Sequence, residues 1–198
     1  MALLTSFPKT APSRWRSRLC GVWLLLFAWL LSGFALMAQT APSRENQIKA
    51  VFLFNFAQFV EWPAQAFPEA RTPLVIGVLG EDPFGAFLDE TVRGEKVNNR
   101  PLVVQRYRRV EEIQVCHVLF ISGSEAAQLE RILELLKGRS ILTVGGGEGF
   151  VGRGVMIGFA TEKNKTRLKI NVEAAKAASL TISSKLLRPA EIVSSGRQ

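Results

Sequence analysis

The sequence has 198 residues, of which 47% are hydrophobic and 21% are charged, and it contains two cysteines. These values exclude disordered, collagen-like and disulfide-dense chains and indicate a single globular domain. The formal net charge is +8. Its position along the chain matters, because basic residues in a targeting segment say nothing about the folded protein.

Residues 1–38 are predicted to be a signal peptide. Four basic residues and no acidic residue precede the uncharged run Gly21–Leu31. Two small-x-small options follow it, Gly33-Phe34-Ala35 and the looser Leu36-Met37-Ala38. This is the arrangement of a secretory signal, and we expect cleavage after Ala38. The alternative is a retained membrane anchor, because residues 19–38 are long enough to cross a bilayer core of roughly 30 Å.

Cleavage would change both the charge and the cysteine count. It would remove the four basic residues of the leader and lower the formal net charge from +8 to +4. The remaining cations are mixed with acidic residues and form no aromatic-interleaved stripe, which argues against nucleic acid as a partner. Cys116 would be the one cysteine left, so no internal disulfide is expected even in an oxidising compartment. We expect a short polar lead over 39–46, a domain over 47–190 and a tail over 191–198.

The first element of the domain is predicted to be a helix over 47–60. Apolar residues recur at close to helical spacing, and we assign them to the buried stripe: Ile48, Val51, Phe52, Phe56, Phe59 and Val60. Leu53 and Phe54 lie off that stripe, so the helix must be sandwiched in the core or dock on another surface. The pair Trp62-Pro63 ends it, because proline disfavours helical geometry in the preceding residue.

A strand and a second helix follow. The apolar run Leu74–Leu79 predicts a central strand covered on both faces. Asp82 as N-cap and Pro83 at the first helical position then predict a helix that continues to Thr91.

The remaining elements alternate between strands and helices. The pattern predicts strands over 102–107, 115–122 and 140–144, a helix over 124–137, an antiparallel hairpin of 155–159 with 167–171, a helix over 172–178 and a last segment over 182–187. Arg167, Lys169 and Asn171 alternate with apolar residues, which indicates an edge strand with one wet face. The fold class is therefore α/β: one domain with a mostly parallel sheet, flanking helices and an antiparallel C-terminal hairpin.

Two motifs raise the question of catalysis or cofactor binding. Cys116 and His117 are adjacent in a predicted strand, but neighbouring strand residues point to opposite faces, so we expect a buried histidine bonded to backbone rather than a nucleophilic dyad. The loop Gly147–Gly152 matches G-x-G-x-x-G, but an apolar strand follows it where a dinucleotide site requires a helix. We expect a glycine-rich turn, no cofactor, no metal and no catalytic residue.

Five motifs in order resemble the YfiR family of exported bacterial regulators: Lys49–Pro63, Leu79–Gly85, Cys116–Ser122, Gly149-Phe150 and Ile182–Arg188. The resemblance implies a periplasmic α/β domain, able to form a homodimer, that restrains an inner-membrane diguanylate cyclase by binding its periplasmic sensing part. It also implies that an OmpA-like outer-membrane lipoprotein can relieve the restraint. The chain departs from the disulfide-bearing members because Cys116 lacks a second cysteine in the domain.

The expected function is thus that of a non-catalytic regulator. Aromatic and cationic side chains are the usual anchors of protein interfaces, so we nominate Phe54, Phe59, Trp62, Lys185 and Arg188 for partner binding, with core packing as the alternative role of the aromatics.

Two alternatives stand beside this function. The first is a small-metabolite or nucleotide binding protein, with its ligand at the carboxyl ends of the parallel strands near Gly80-Glu81 and Ser122-Gly123. The second is an enzyme that depends on His117.

Overall fold

The computed structural model describes residues 42–69, 71–162 and 165–193. They belong to one compact unit, Ala41–Gln198, and the fold below is that of this unit. The predicted signal peptide, its cleavage site and residues 194–198 of the predicted tail lie outside the described residues. No helix in the described part has the length and apolar character needed to cross a membrane.

The described residues form five α-helices and ten strands. The helices are α1 (Arg44–Phe59), α2 (Ala86–Val92), α3 (Leu129–Leu136), α4 (Val172–Ala177) and α5 (Ser184–Leu187). The strands are β1 (Val60–Glu61), β2 (Leu74–Leu79), β3 (Lys96–Val97), β4 (Arg100–Tyr107), β5 (Val118–Ile121), β6 (Leu142–Gly145), β7 (Ile157–Glu162), β8 (Lys165–Ile170), β9 (Thr181–Ile182) and β10 (Glu191–Ile192).

Eight of these strands form one sheet in the order β10-β8-β7-β6-β5-β2-β4-β3. Strands β4, β2, β5, β6 and β7 are parallel, and β7 pairs with β8 as an antiparallel hairpin. The predicted fold class is confirmed. A separate antiparallel pair joins β1 to β9.

Both faces of the central strands are buried. All six residues of β2 and all four of β5 are inaccessible to solvent. On β5, Val118 and Phe120 belong to the core beneath α1, whereas Leu119 and Ile121 belong to the core beneath α3. Because side chains alternate between the two faces of a strand and both faces are buried, every position of these strands carries an apolar residue or glycine. This is why each strand appears in the sequence as a continuous run without polar residues.

The buried face of α1 differs from the predicted stripe. Its buried residues are Ala50, Leu53, Phe56 and Ala57. Ile48 and Val51, which we assigned to the buried stripe, are 38% and 44% exposed. The predicted orientation of the helix was wrong because it counted only large apolar side chains as buried. Ala50 and Ala57 face the core instead, and their small side chains let the helix approach the sheet closely.

The start of α2 also differs from the prediction. Asp82 does not cap this helix: its Oδ1 accepts hydrogen bonds from the backbone N–H groups of Phe84 and Gly85, 2.7 and 3.3 Å away. Gly85 adopts a positive φ of 52° immediately before the helix, so the chain makes a turn before α2 begins. The other carboxylate oxygen of Asp82 accepts from Arg106 on β4 at 2.7 Å, which ties the turn to the sheet.

Two further predictions need correction. The expected helix over 124–137 is a 3-10 helix over Gly123–Gln128 followed by α3. Asn171, expected on a wet face, is fully buried, and its side chain accepts a hydrogen bond from Ala174 N–H as the N-cap of α4. Strand β8 is not a free edge either, because β10 pairs with its last two residues.

The glycine-rich loop connects β6 to β7 and wraps around Phe150. This phenyl ring is buried in the core beneath α3. A Cβ atom added at Gly145 or Gly147 would lie 2.8 or 2.4 Å from Phe150 side-chain atoms, closer than packed carbon atoms can approach. The glycines make room for an aromatic residue, and the expected glycine-rich turn between two strands is confirmed.

The two faces of α1 predict opposite mutational outcomes. Leu53→Ala should lower the free energy of unfolding by about 2–5 kcal/mol because it leaves a cavity in the core. Val51→Ala should change it by no more than about 0.5 kcal/mol because Val51 is exposed. Urea denaturation of both variants checks this, and a larger loss for Val51→Ala would contradict the observed orientation of the helix.

Candidate partner-binding surface

The first and last helices of the domain are joined at their adjacent ends. Strand β1, which follows α1, pairs with β9, which precedes α5. The backbone N–H of Ser183 donates to the carbonyl oxygen of Phe59 at 2.9 Å. The Ser183 hydroxyl then accepts from Lys185 N–H at 3.3 Å and caps α5. These bonds fix α5 beside the C-terminal end of α1.

The side of α1 away from the core carries the exposed apolar residues Ile48 and Val51. We call this pair the α1 outer face. The two residues are three positions apart, so their side chains lie next to each other on the helix surface. Each of them is more than a third exposed, so this side of α1 is open to solvent.

The nominated residues occupy different positions around this surface. Phe54 and Phe59 are partly buried and pack against the core. They are five residues apart on α1 and therefore point to different sides of it. Lys185 and Arg188 are exposed at α5, and within the described ranges neither forms an ion pair. The pairing of β1 with β9 places the start of α5, which carries Lys185, beside the end of α1 that carries Phe59. Phe54 lies three positions after Val51 and is therefore next to the α1 outer face.

Trp62 lies in the segment that follows β1 and is held by the sheet. Its indole N–H donates to the carbonyl oxygen of His117 at 3.2 Å. Its ring contacts the His117 ring edge-on, with 6.1 Å between the centroids. These contacts pack the partly buried Trp62 against the sheet, and its nomination for partner binding stays a prediction.

His117 connects three segments of the chain. Its Nδ1 accepts from Val75 N–H at 3.0 Å, and its Nε2 lies 3.1 Å from the carbonyl oxygen of Ala66. This pattern requires the neutral tautomer that carries its proton on Nε2. The expected histidine bonded to backbone is confirmed.

Phe67 and Arg100 complete the environment of this histidine. The Phe67 ring stacks on His117 with 4.4 Å between centroids, and the Arg100 guanidinium lies 3.9 Å from the centre of the Phe67 ring. Arg100 also donates to the carbonyl oxygens of Glu69 and Thr72. We call Trp62, Phe67, Arg100 and His117 the histidine cluster. It fixes the segment between β1 and β2, and sequence reasoning missed Phe67 and Arg100 because nothing in their spacing links them to His117.

The ionisation of His117 and Cys116 follows from their burial. Burial lowers the pKa of His117 to about 4, and the Arg100 charge acts in the same direction, although the hydrogen bond to Ala66 opposes it. Burial raises the pKa of the Cys116 thiol to about 12. Cys116 packs in the core beneath α3 and its thiol donates to the Val118 carbonyl oxygen, so the two side chains do not form a dyad.

Ser124 and Glu125 lie at the carboxyl ends of β2 and β5, where we placed the alternative ligand site. The Ser124 hydroxyl accepts from Glu81 N–H at 3.1 Å and donates to the Glu125 carboxylate. A Cβ atom at Gly80 would lie 2.6 Å from both side chains. The two side chains therefore pack directly against the backbone at the end of β2.

The described residues contain no group of three or more His, Cys, Asp or Glu side chains placed to hold a metal ion. The sequence analysis missed the exposure of Ile48 and Val51. The spacing of Ala50, Leu53 and Ala57 could have revealed it, since it describes a second stripe of small and apolar residues on the opposite side of the helix.

Comparison with known proteins identifies the family. The family model described as YfiR/HmsC-like matches residues 46–191, and the chain belongs to this family of periplasmic regulators. No curated protein matches the sequence.

One similar solved structure is the conserved domain protein from Vibrio cholerae O1 biovar eltor, with 15% sequence identity and a TM-score of 0.44. The match covers 60% of this chain and 54% of that one. The chain thus spans about half the length of that structure.

The histidine cluster predicts a pH-dependent stability. Replacing His117 with phenylalanine should lower the free energy of unfolding by about 2–4 kcal/mol at pH 7.5, because Val75 N–H and the Ala66 carbonyl lose their partner. The unfolded histidine takes up a proton near its ordinary pKa of 6.5, whereas the folded one does so near 4. The stabilisation from neutral His117 is therefore complete above pH 6.5 and is lost as the pH falls towards 4.

Denaturant titrations of both proteins between pH 7.5 and pH 4 measure this effect. The difference between wild type and His117→Phe should shrink as the pH falls. If the difference in the free energy of unfolding between the two proteins stayed constant over this range, the pKa of His117 in the folded protein would not be lowered by its burial.

Proposed function

We propose that this protein is an exported, non-catalytic regulator that binds the periplasmic sensing part of an inner-membrane diguanylate cyclase and restrains it. Membership of the YfiR/HmsC-like family supports a periplasmic regulator. The observation that carries the binding role is the α1 outer face, where Ile48 and Val51 stand exposed on a helix whose opposite side is firmly packed.

The proposed interface combines this apolar face with the cations of α5. Phe59 lies at the C-terminal end of α1. Lys185 lies on α5, which is tied to that end, and Arg188 is the C-cap of α5. An apolar centre with a charged rim is the usual anatomy of a specific protein interface. The cations at the rim would favour an acidic patch on the sensing domain and speed the encounter with it.

Restraint needs binding energy that differs between two states of the cyclase. A regulator that binds the inactive state better shifts the equilibrium towards it, and about 5.5 kcal/mol of differential affinity moves a two-state switch from 1:99 to 99:1. No chemical step is required of the regulator. An OmpA-like outer-membrane lipoprotein that competes for the same surface would relieve the restraint, and a homodimer would present that surface twice.

The side chains of Cys116 and His117 support a non-catalytic role. The thiol remains protonated at neutral pH because its pKa is raised to about 12. Both ring nitrogens of His117 are engaged with backbone groups, so the ring is not available as a general base. The protein would act in the periplasm after removal of residues 1–38, or from the inner membrane if the apolar segment is retained.

The first test measures cyclic di-GMP inside cells that lack the gene. Its concentration should rise in the deletion strain and fall again when the exported protein is restored, because the cyclase is released and then restrained. An unchanged concentration, with export of the restored protein confirmed and the cyclase expressed, would contradict the proposal.

The second test locates the surface in the same strain. Val51→Asp, and separately the double variant Lys185→Glu with Arg188→Glu, should weaken binding by at least about tenfold and fail to lower cyclic di-GMP. Arg131→Glu is the matched control, because Arg131 is an exposed cation on α3, away from α1 and α5. Full activity of both test variants at normal periplasmic levels would exclude this surface.

A further inference from the structure

Two cavities adjoin at the amino-terminal ends of β5 and β6. The first has a volume of about 290 Å³ and a lining that is polar and apolar in equal parts, with Gln65, Gln114 and Ser140 among its polar residues; we call it the polar cavity. The second has a volume of about 190 Å³ and lies between α3 and α4; we call it the apolar cleft. Gly138, Arg139 and Ile141 line both. The two volumes therefore meet along one short segment of chain.

The apolar cleft is lined by aliphatic side chains from two helices. Leu133 and Leu136 come from α3, Ala174 and Ala177 come from α4, and Met156 also lines it. The small side chains of α4 leave open space opposite the leucines of α3. A ligand group that fills this space gains free energy by leaving water, as any apolar group does on burial.

Arg139 stands where the cleft meets the polar cavity. A tight turn presents it: Gly138 has a φ of 76°, and the backbone N–H of Arg139 donates to the Leu136 carbonyl oxygen at 3.0 Å. The guanidinium donates from Nη2 to the Gln114 carbonyl oxygen at 2.9 Å. Among the described residues it has no carboxylate partner, so N–H donors on the other nitrogens remain for an anion.

A second cation lies at the rim of the apolar cleft. Lys137 lines the cleft, and its ammonium group pairs with the exposed Glu134 at 3.3 Å. Both partners of this pair are exposed, so the pair contributes little and an incoming anion can compete with it. The site thus offers an apolar floor, one half-buried guanidinium and one ammonium at the rim.

We propose that this site binds a free aliphatic carboxylate of medium chain length. The apolar tail lies in the cleft between α3 and α4, and the carboxylate accepts hydrogen bonds from Arg139 at the boundary with the polar cavity. A planar guanidinium matches the two oxygens of a carboxylate. The site lies at the end of the parallel strands opposite the Ser124–Glu125 contact, and it is independent of the proposed α1 and α5 interface.

The test is calorimetric titration of the exported protein with octanoate, with octanol and octylamine of the same chain length as controls. Octanoate should bind with one-to-one stoichiometry, and the two controls should bind at least about tenfold more weakly, because they lack the anionic oxygens that Arg139 requires. Equal affinity for all three compounds would show non-specific apolar binding and overturn the proposal.

Two variants assign the binding to this site. Ala177→Leu fills the cleft from an exposed position on α4 and should abolish octanoate binding. Arg139→Gln should weaken octanoate about tenfold but leave octanol unchanged. Arg131→Gln is the matched control, because this arginine lies on α3 and does not line the cleft, and it should bind octanoate like the wild type.

Methyl chemical shifts of the wild-type protein give a second readout that requires no substitution. Octanoate should shift the methyl resonances of Leu133, Met156 and Ala177 and leave those of Ile48 and Val51 unchanged. Shifts confined to the α1 outer face, or unchanged octanoate binding in folded Ala177→Leu, would overturn the assignment.

Discussion

Burial of the central sheet on both faces is the constraint on which the other features of this domain depend. Strands β2 and β5 expose no side chain to water, so helices must cover each face and every polar group between the layers must find a partner. His117 is the clearest example: it lies fully buried at the start of β5, and its two ring nitrogens are matched by one backbone N–H and one backbone carbonyl. A charged imidazole would be incompatible with that position.

The same constraint accounts for the protonation states of Cys116 and His117. A thiol that is sealed in an apolar core stays protonated, and an imidazole whose nitrogens are both engaged cannot exchange a proton with a substrate. Within the described residues, the exposed apolar pair of α1, the cations at α5 and the cavities at the amino-terminal ends of β5 and β6 lie outside the buried strands.

Much of the fold was predictable from local patterns, and the exceptions have physical causes. The run Leu74–Leu79 identified a central strand because residues buried on both faces leave no polar alternation. The orientation of α1 was not predictable from side-chain size, because Ala50 and Ala57 face the sheet and allow close approach. The role of Asp82 depended on Arg106, which lies on a different strand. The nomination of Phe59, Lys185 and Arg188 for partner binding stays a prediction, and sequence reasoning missed the exposure of Ile48 and Val51, which is set by tertiary packing.

The pairing of β1 with β9 has a consequence for how the molecule is made. The chain emerges from the ribosome with α1 first, yet the carbonyl oxygen of Phe59 and the backbone of Val60 find their partners in Ser183 and Ile182, near the other end of the sequence. Contacts between such distant segments form late in folding, because a long loop must close first. A nascent or truncated chain that ends before Thr181 leaves this junction open and lacks the cations of α5. Closure of the β1–β9 junction is thus coupled to completion of synthesis, so that only molecules whose synthesis has passed Ser183 carry the closed junction, and chains terminated before Thr181 expose unpaired backbone to proteases.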